Sequence, residues 1–161
     1  MKNQHANLSA LDVAKYFLCK AHQEGDLVTN LKLQKLLYYA QAWYLVNYNA
    51  PLFKEAIRPW HLGPVIKEVY DEFKNFGSMS ISYTPTGKES NIFSERQIHY
   101  LDEFYDVFFK FTAHELVNMS HNEPPWKDAF EKKRAEISLD AMKQYYTQVL
   151  QANLKNASQK R

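Results

Sequence analysis

With 161 residues, 45% of them hydrophobic and 15% aromatic, the chain can bury the core of one domain, and its composition excludes disorder and collagen-like repeats. Twenty basic against eighteen acidic side chains leave a formal charge of +2, far from the footprint of a dedicated nucleic-acid binder, although residues 154–161 lean positive. The single cysteine, Cys19, excludes an internal disulfide and a cysteine-rich zinc site, the polar start at Met1 lacks a signal peptide's apolar segment, and the longest apolar stretch, residues 36–45, is interrupted by Gln41 and too short to span a bilayer; a cytoplasmic protein is expected.

Taken in chain order, the pattern is almost wholly helical. Ser9 and Asp12 form a capping box ahead of Leu11, Ala14, Leu18 and Ala21, which predicts a helix at 10–23 before the break at Gly25. Thr29 or Asn30 caps a second helix, apolar on two sides through Leu33, Leu36, Leu37, Ala40 and Tyr44 on one and Tyr38, Leu45 and Tyr48 on another; it belongs in the middle of the fold and ends near Asn49, ahead of Pro51. Residues 51–62 read as an ordered loop with a short extended piece. Gly63-Pro64 opens a third helix that buries Val65, Val69, Tyr70, Phe73 and Phe76 and stops at Gly77. The polar stretch 78–92 reads as a mobile loop with a short strand at 81–84.

Ser94 with Gln97 starts the cleanest amphipathic helix, with Ile98, Leu101, Tyr105, Phe108, Phe109 and Thr112 on its buried face. Thr112 with Glu115 starts a short helix to Met119, after which Pro124 and Pro125 predict an irregular segment. Ser138 caps a last helix with Met142, Tyr145, Val149 and Leu150 inward. The fold class is mainly α: a single compact helical domain of about five to seven helices, with at most a short β-hairpin or marginal strands. Its boundaries are a flexible start at 1–8, a folded domain at 9–154 and a polar basic tail at 155–161, with no internal repeat.

Chemical motifs are sparse. His114-Glu115 begins like a metalloprotease signature, but Asn118 stands where the second histidine belongs. Cys19 lies in an apolar helix without a cysteine neighbour and reads as structural. Four glycines build no phosphate-cradling loop, dinucleotide fingerprint or nucleophile elbow, so no enzyme, no cofactor and no metal are expected. Lys32, Lys35 and Lys54, interleaved with Tyr38 and Tyr39, imitate a nucleic-acid surface, but read more simply as the solvated edge of the second helix. Two segments resist a pure packing explanation: Trp60-His61-Leu62-Gly63-Pro64-Val65, and Ser120-His121-Asn122-Glu123-Pro124-Pro125-Trp126. Either they expose convergent polar groups, or His121 and Glu123 satisfy helix ends while the tryptophans plug the core.

Together with Asp12-Val-Ala-Lys-Tyr-Phe-Leu and the run Asn30-Leu-Lys-Leu-Gln-Lys-Leu-Leu-Tyr-Tyr-Ala-Gln-Ala-Trp, these segments resemble, in order and spacing from Ser9 to Leu150, the signatures of the Panacea domain. That family includes SocA-like antitoxins and phage-associated GepA-like proteins. The resemblance implies a helical domain, often carried by a prophage or mobile element, that neutralises a cognate protein toxin, encoded adjacently, by direct binding. It also carries an alternative, an adaptor presenting the toxin to an AAA+ protease. Some relatives add a DNA-binding helix-turn-helix, for which no spare length is seen here, so no direct nucleic-acid contact is expected. Tyrosine, tryptophan and arginine are the usual interface anchors, which places the partner surface at Tyr38, Tyr39, Arg58, Trp60, His61, His121, Glu123 and Trp126. The readings from other classes are a hydrolase using His121 and Glu123, and a phage assembly factor; homo-oligomerisation is left open.

Overall fold

Five of the six residues marked as possible helix caps by the sequence cap helices; the sixth, Asn30, is itself helical. In the computed structural model, which describes residues 8–160, the side chains of Ser9, Thr29, Ser94, Thr112 and Ser138 accept the backbone N–H three residues ahead and open α1 (Ala10–Glu24), α2 (Asn30–Tyr48), α4 (Glu95–Phe108), α5 (Ala113–His121) and α7 (Leu139–Gln159). At Ser9, Ser94 and Thr112 the third helical residue returns the bond and completes a capping box. The short α3 (Lys67–Phe73), running into a single 3-10 turn at Lys74–Phe76, and α6 (Pro124–Glu131) complete seven α-helices among the described residues. An antiparallel hairpin of β1 (Arg58–Trp60) and β2 (Gly63–Val65) is the one sheet among them.

The centre is α2. Every residue from 33 to 42 is buried, so the helix has no solvent face there, and α1, α3, α4, α5, α7 and β2 all pack on it. Leu33, Leu36, Leu37, Tyr38 and Ala40 have no exposed surface. The helix ends at Asn49, held in the left-handed conformation at φ 52° with its N–H on the Leu45 carbonyl. Gln41, which interrupts the apolar run in the sequence, fastens the following loop: its Oε1 accepts from Leu52 N at 2.6 Å and its Nε2 donates to Phe53 O at 2.9 Å.

Three local expectations are corrected. Gly63-Pro64 does not open a helix; Gly63 to Val65 is a strand paired with Arg58 to Trp60, and α3 starts at Lys67. The segment is held extended because polar side chains of α2 take its backbone groups: Gln34 Oε1 accepts from Ile66 N at 2.9 Å and Lys35 Nζ donates to Pro64 O at 3.1 Å. Pro124 and Pro125 do not break the chain but form the first turn of α6, where no backbone donor is needed. Residues 81–84 form no strand; a single bridge pairs Ser80 with Thr29, and Ile81 N donates to Val28 O at 2.8 Å. Beyond it, Glu89 gathers the N–H groups of Thr86 and Gly87 and the hydroxyls of Thr86 and Tyr83, which outweigh a desolvation cost and hold its carboxyl down at about 2.

Two buried stripes also shift. In α4 the inward residues are Gln97, Tyr100, Leu101, Phe104 and Tyr105, because Tyr100 packs edge-on against Tyr44 and Phe104 stacks on Phe17; Ile98 and Phe108 are only half-buried. In α7 Tyr146 is buried with Met142, while Tyr145, Val149 and Leu150 are half-buried. The expected basic tail is a continuation of α7 as far as Gln159. Of the expected flexible start, only Leu8 is described; it is buried, and its carbonyl accepts from Lys54 N. Residues 1–7 and 161 lie outside the described residues.

Leu37 tests the central position of α2. Leu37→Ala should cost about 2–5 kcal/mol through lost transfer energy and the cavity left behind, read as a lowered urea midpoint at unchanged m-value.

Candidate partner-binding site

The two segments that resisted a packing explanation lie against each other. α5 ends at His121, Asn122 caps it, and Glu123 immediately caps α6, so the expected exposed loop is a tight corner between two helices. Trp126, in the first turns of α6, reaches the hairpin and donates its indole N–H to Trp60 O at 2.9 Å. Its ring lies between His121, 4.2 Å away centroid to centroid, and Phe130 at 4.7 Å, all three nearly parallel. His61 at the hairpin tip approaches the far end of this stack, 6.3 Å from Phe130.

Glu123 faces inward. Its Oε1 accepts from the hydroxyls of Tyr39 on α2 and, at 3.0 Å, Tyr146 on α7, and the Tyr146 hydroxyl meets that of Tyr38 at 3.0 Å. Burial pushes the Glu123 carboxyl above the usual carboxylate range, and the two phenol donors pull part of the way back. The phenols of Tyr38, Tyr39 and Tyr146 are pushed far up, first by burial and then, for Tyr39, by the neighbouring carboxylate. This cluster joins α2, α6 and α7 through one acceptor atom.

Beneath the hairpin tip lies Lys35, fully buried and bonded only to the Pro64 carbonyl. Desolvation pushes its amine down to about 7. The expectation of a solvated edge therefore fails for this lysine. Gly63 makes the arrangement possible: its φ is +108°, and a Cβ there would stand 2.6 Å from Lys35 Cε and 3.0 Å from Ser120 Oγ. His121 is pushed down as well, by burial first and then by Lys35 and His61, with the His61 backbone pulling the other way; its Nε2 is buried without a hydrogen-bond partner.

The eight residues expected to form a partner surface thus divide. Tyr38, Tyr39 and Trp126 are buried in the core, and Glu123 is committed to Tyr39 and Tyr146, because each carries a polar atom that the interior satisfies. Arg58 and His61 are exposed, and Trp60 and His121 are half-buried. Two residues absent from the expected set join them: Leu62, 54% exposed at the hairpin tip, and Phe130, 39% exposed at the end of the ring stack. The spacing of Phe130 four residues after Trp126 was the available signal for the second. Among the described residues no helix is long and apolar enough to cross a membrane.

Residues 33–127, which carry most of α2, the hairpin, α3, α4, α5 and the start of α6, match the family described as Antitoxin SocA-like, Panacea domain. The chain belongs to that family. Over 71 residues, 44% of its length, the Panacea chain is 38% identical to Antitoxin SocA of Caulobacter vibrioides (strain NA1000 / CB15N), a stretch that spans 38% of that relative. No solved structure matches it. Both segments of the candidate site fall inside the matched range of the Panacea domain, and Phe130 lies just beyond it.

Glu123 offers a test by pH. Because its folded carboxyl is raised, the folded state holds a proton more tightly than the unfolded chain, and stability falls as pH climbs from the ordinary carboxylate range through the raised value. Glu123→Gln, which keeps an acceptor for both phenols, should flatten that part of a melting-temperature profile recorded from pH 4 to 8. Glu123→Ala should cost about 1–3 kcal/mol at neutral pH by leaving the Tyr39 phenol without its acceptor.

Proposed function

We propose that this chain is an antitoxin that neutralises a cognate protein toxin by binding it directly, through the hairpin tip and the adjoining face of α6. The observation that carries this reading is the exposed pair Leu62 and Phe130, set beside Arg58, Trp60 and His61 on a hairpin that is fixed from below. Large apolar and aromatic groups flanked by arginine and histidine are the composition of an interface centre. Anchors already locked by Trp126 and α2 lose little freedom on binding.

Membership of the family supports an antitoxin role, and the name of the SocA relative points the same way. The packing of α1 and α7 directly on α2 supports a folded domain that reaches beyond the matched 33–127 on both sides. The protein acts by occupying its partner, not by turning over a substrate: Glu123 and His121, the pair a hydrolase would use, are respectively bound to two phenols and stacked on Trp126.

Leu62→Asp and Phe130→Asp test the surface against the protein encoded next to this chain, co-expressed in a growth-rescue assay. Leu62→Asp lies on exposed surface and should leave the melting temperature within about 2 °C of the parent, whereas Phe130→Asp also removes a ring stacked on Trp126 and counts only where the variant is folded at the assay temperature. Rescue should be lost and affinity for the neighbouring protein should fall by at least about tenfold, as for an interface anchor worth more than 1 kcal/mol. Unchanged rescue and affinity in both variants place the contact elsewhere on the molecule.

A further inference from the structure

A lysine with no exposed surface normally pairs with a carboxylate. Lys35 does not: its single hydrogen bond goes to the Pro64 carbonyl, and among the described residues no carboxylate oxygen comes within ion-pair distance of it. A neutral amine is suited to that position, since one donated bond, one unused N–H and an unused lone pair are tolerable in an apolar seam without a charge. An ammonium is not, because two of its three N–H groups would lack acceptors and its charge would lie under the hairpin without compensation. Gly63 closes the seam from above, with no room for a Cβ against the Lys35 stem.

We propose that the β1–β2 hairpin is a proton-operated latch, shut on α2 while Lys35 is neutral and released when Lys35 takes up a proton. Opening carries Pro64 off the amine, frees the Ile66 N–H from Gln34 and lets the charged Lys35 reach water. The hairpin tip is Trp60 to Gly63, so the latch sets how rigidly the surface proposed above is presented. The latch is nevertheless a property of the isolated chain and holds whether or not that surface meets a toxin.

The direction follows from linkage. Lys35 titrates near 7 when shut in and near the ordinary lysine value of 10.5 when solvated, so closing expels a proton over that interval. Opening is therefore favoured as pH falls from about 10 towards 7 and levels off below. One other lysine near the seam, Lys32, is also pushed below the ordinary lysine value by burial, and Lys32→Met, which should keep the pH dependence, separates its titration from that of Lys35. His61 on the hairpin is exposed, and the neighbouring His121 of α5 is pushed below the usual histidine range. Glu123 at the head of α6 is engaged by Tyr39 and Tyr146; Arg58 on β1 is exposed; Lys32, one turn earlier on α2, donates to the Phe109 carbonyl at 2.8 Å. The remaining charged side chains of α5 and α6 (His114, Glu115, Lys127, Asp128 and Glu131) are exposed.

Amide hydrogen exchange, corrected for intrinsic rates, reads the latch through Ile66, with Leu37 inside α2 as the reference for global unfolding. The Ile66 protection factor should fall by about fiftyfold between pH 9 and pH 7 and lie below that of Leu37 at pH 7. Lys35→Met should abolish the pH dependence, whereas Lys32→Met, His121→Gln and His61→Gln should keep it. Where Lys35→Met fails to fold, the Lys35 Cε resonance of the unaltered protein decides, with a midpoint near 7 expected. A midpoint near 10, equal protection of Ile66 and Leu37 at pH 7, or loss of the pH dependence in Lys32→Met or either histidine variant overturns the latch.

Discussion

A helix with no face left for solvent constrains everything placed around it. Between residues 33 and 42, α2 touches protein on every side, yet it carries Gln34, Lys35 and Gln41 there, with the buried Asn30 one turn earlier. Each of these polar groups has to be satisfied by whatever covers it. Gln41 answers the backbone of the 51–57 loop, Gln34 answers Ile66 and Asn30, and Lys35 answers Pro64. The coverings without helical stripes of their own are thereby positioned by side chains of the central helix. Apolar burial supplies the driving force, and these amides and one amine supply the register.

Two ionisable groups, the half-buried Glu123 and the fully buried Lys35, respond to desolvation in opposite ways. Glu123 collects two phenolic donors at one oxygen and links three helices, so that its cost of desolvation is partly offset by bonds that also define the corner between α5 and α6. Lys35 has only a main-chain carbonyl, and its amine sheds the proton more readily instead. The first arrangement rigidifies; the second leaves the seam under the hairpin sensitive to charge. That difference matters because both sit directly beneath the surface where the two signature segments meet.

That surface is built in layers. Trp126 is spent on holding the hairpin, through its indole N–H and through the ring stack that runs from His121 to Phe130, and this lets Leu62, His61 and the edge of Phe130 stand exposed without being loose. A binding module gains from this division of labour, because anchors fixed before the encounter cost less to immobilise in it.

The sequence by itself determined the helices. Capping boxes, the two-sided apolar run of α2 and the alternation of α4 and α7 are local patterns, and local backbone hydrogen bonding follows them, so element type and most helix starts were legible at Ser9, Thr29, Ser94, Thr112 and Ser138. The motif segments, and with them the family, were legible too. Only the tertiary structure decided which way the chemistry-bearing side chains face. Gly63-Pro64 carries the same local signal as a helix start and became a strand because Gln34 and Lys35, some thirty residues earlier, took its neighbouring backbone groups. Tyr38, Tyr39 and Glu123 have the chemistry of an interface and went inside because Tyr146, from the far end of the chain, completes their hydrogen bonds. Lys35 reads in the sequence as part of a solvated edge and is buried because the glycine that permits it stands twenty-eight positions later. Exposure is a property of what packs on a residue, and no pattern confined to its own neighbourhood in the chain encodes that.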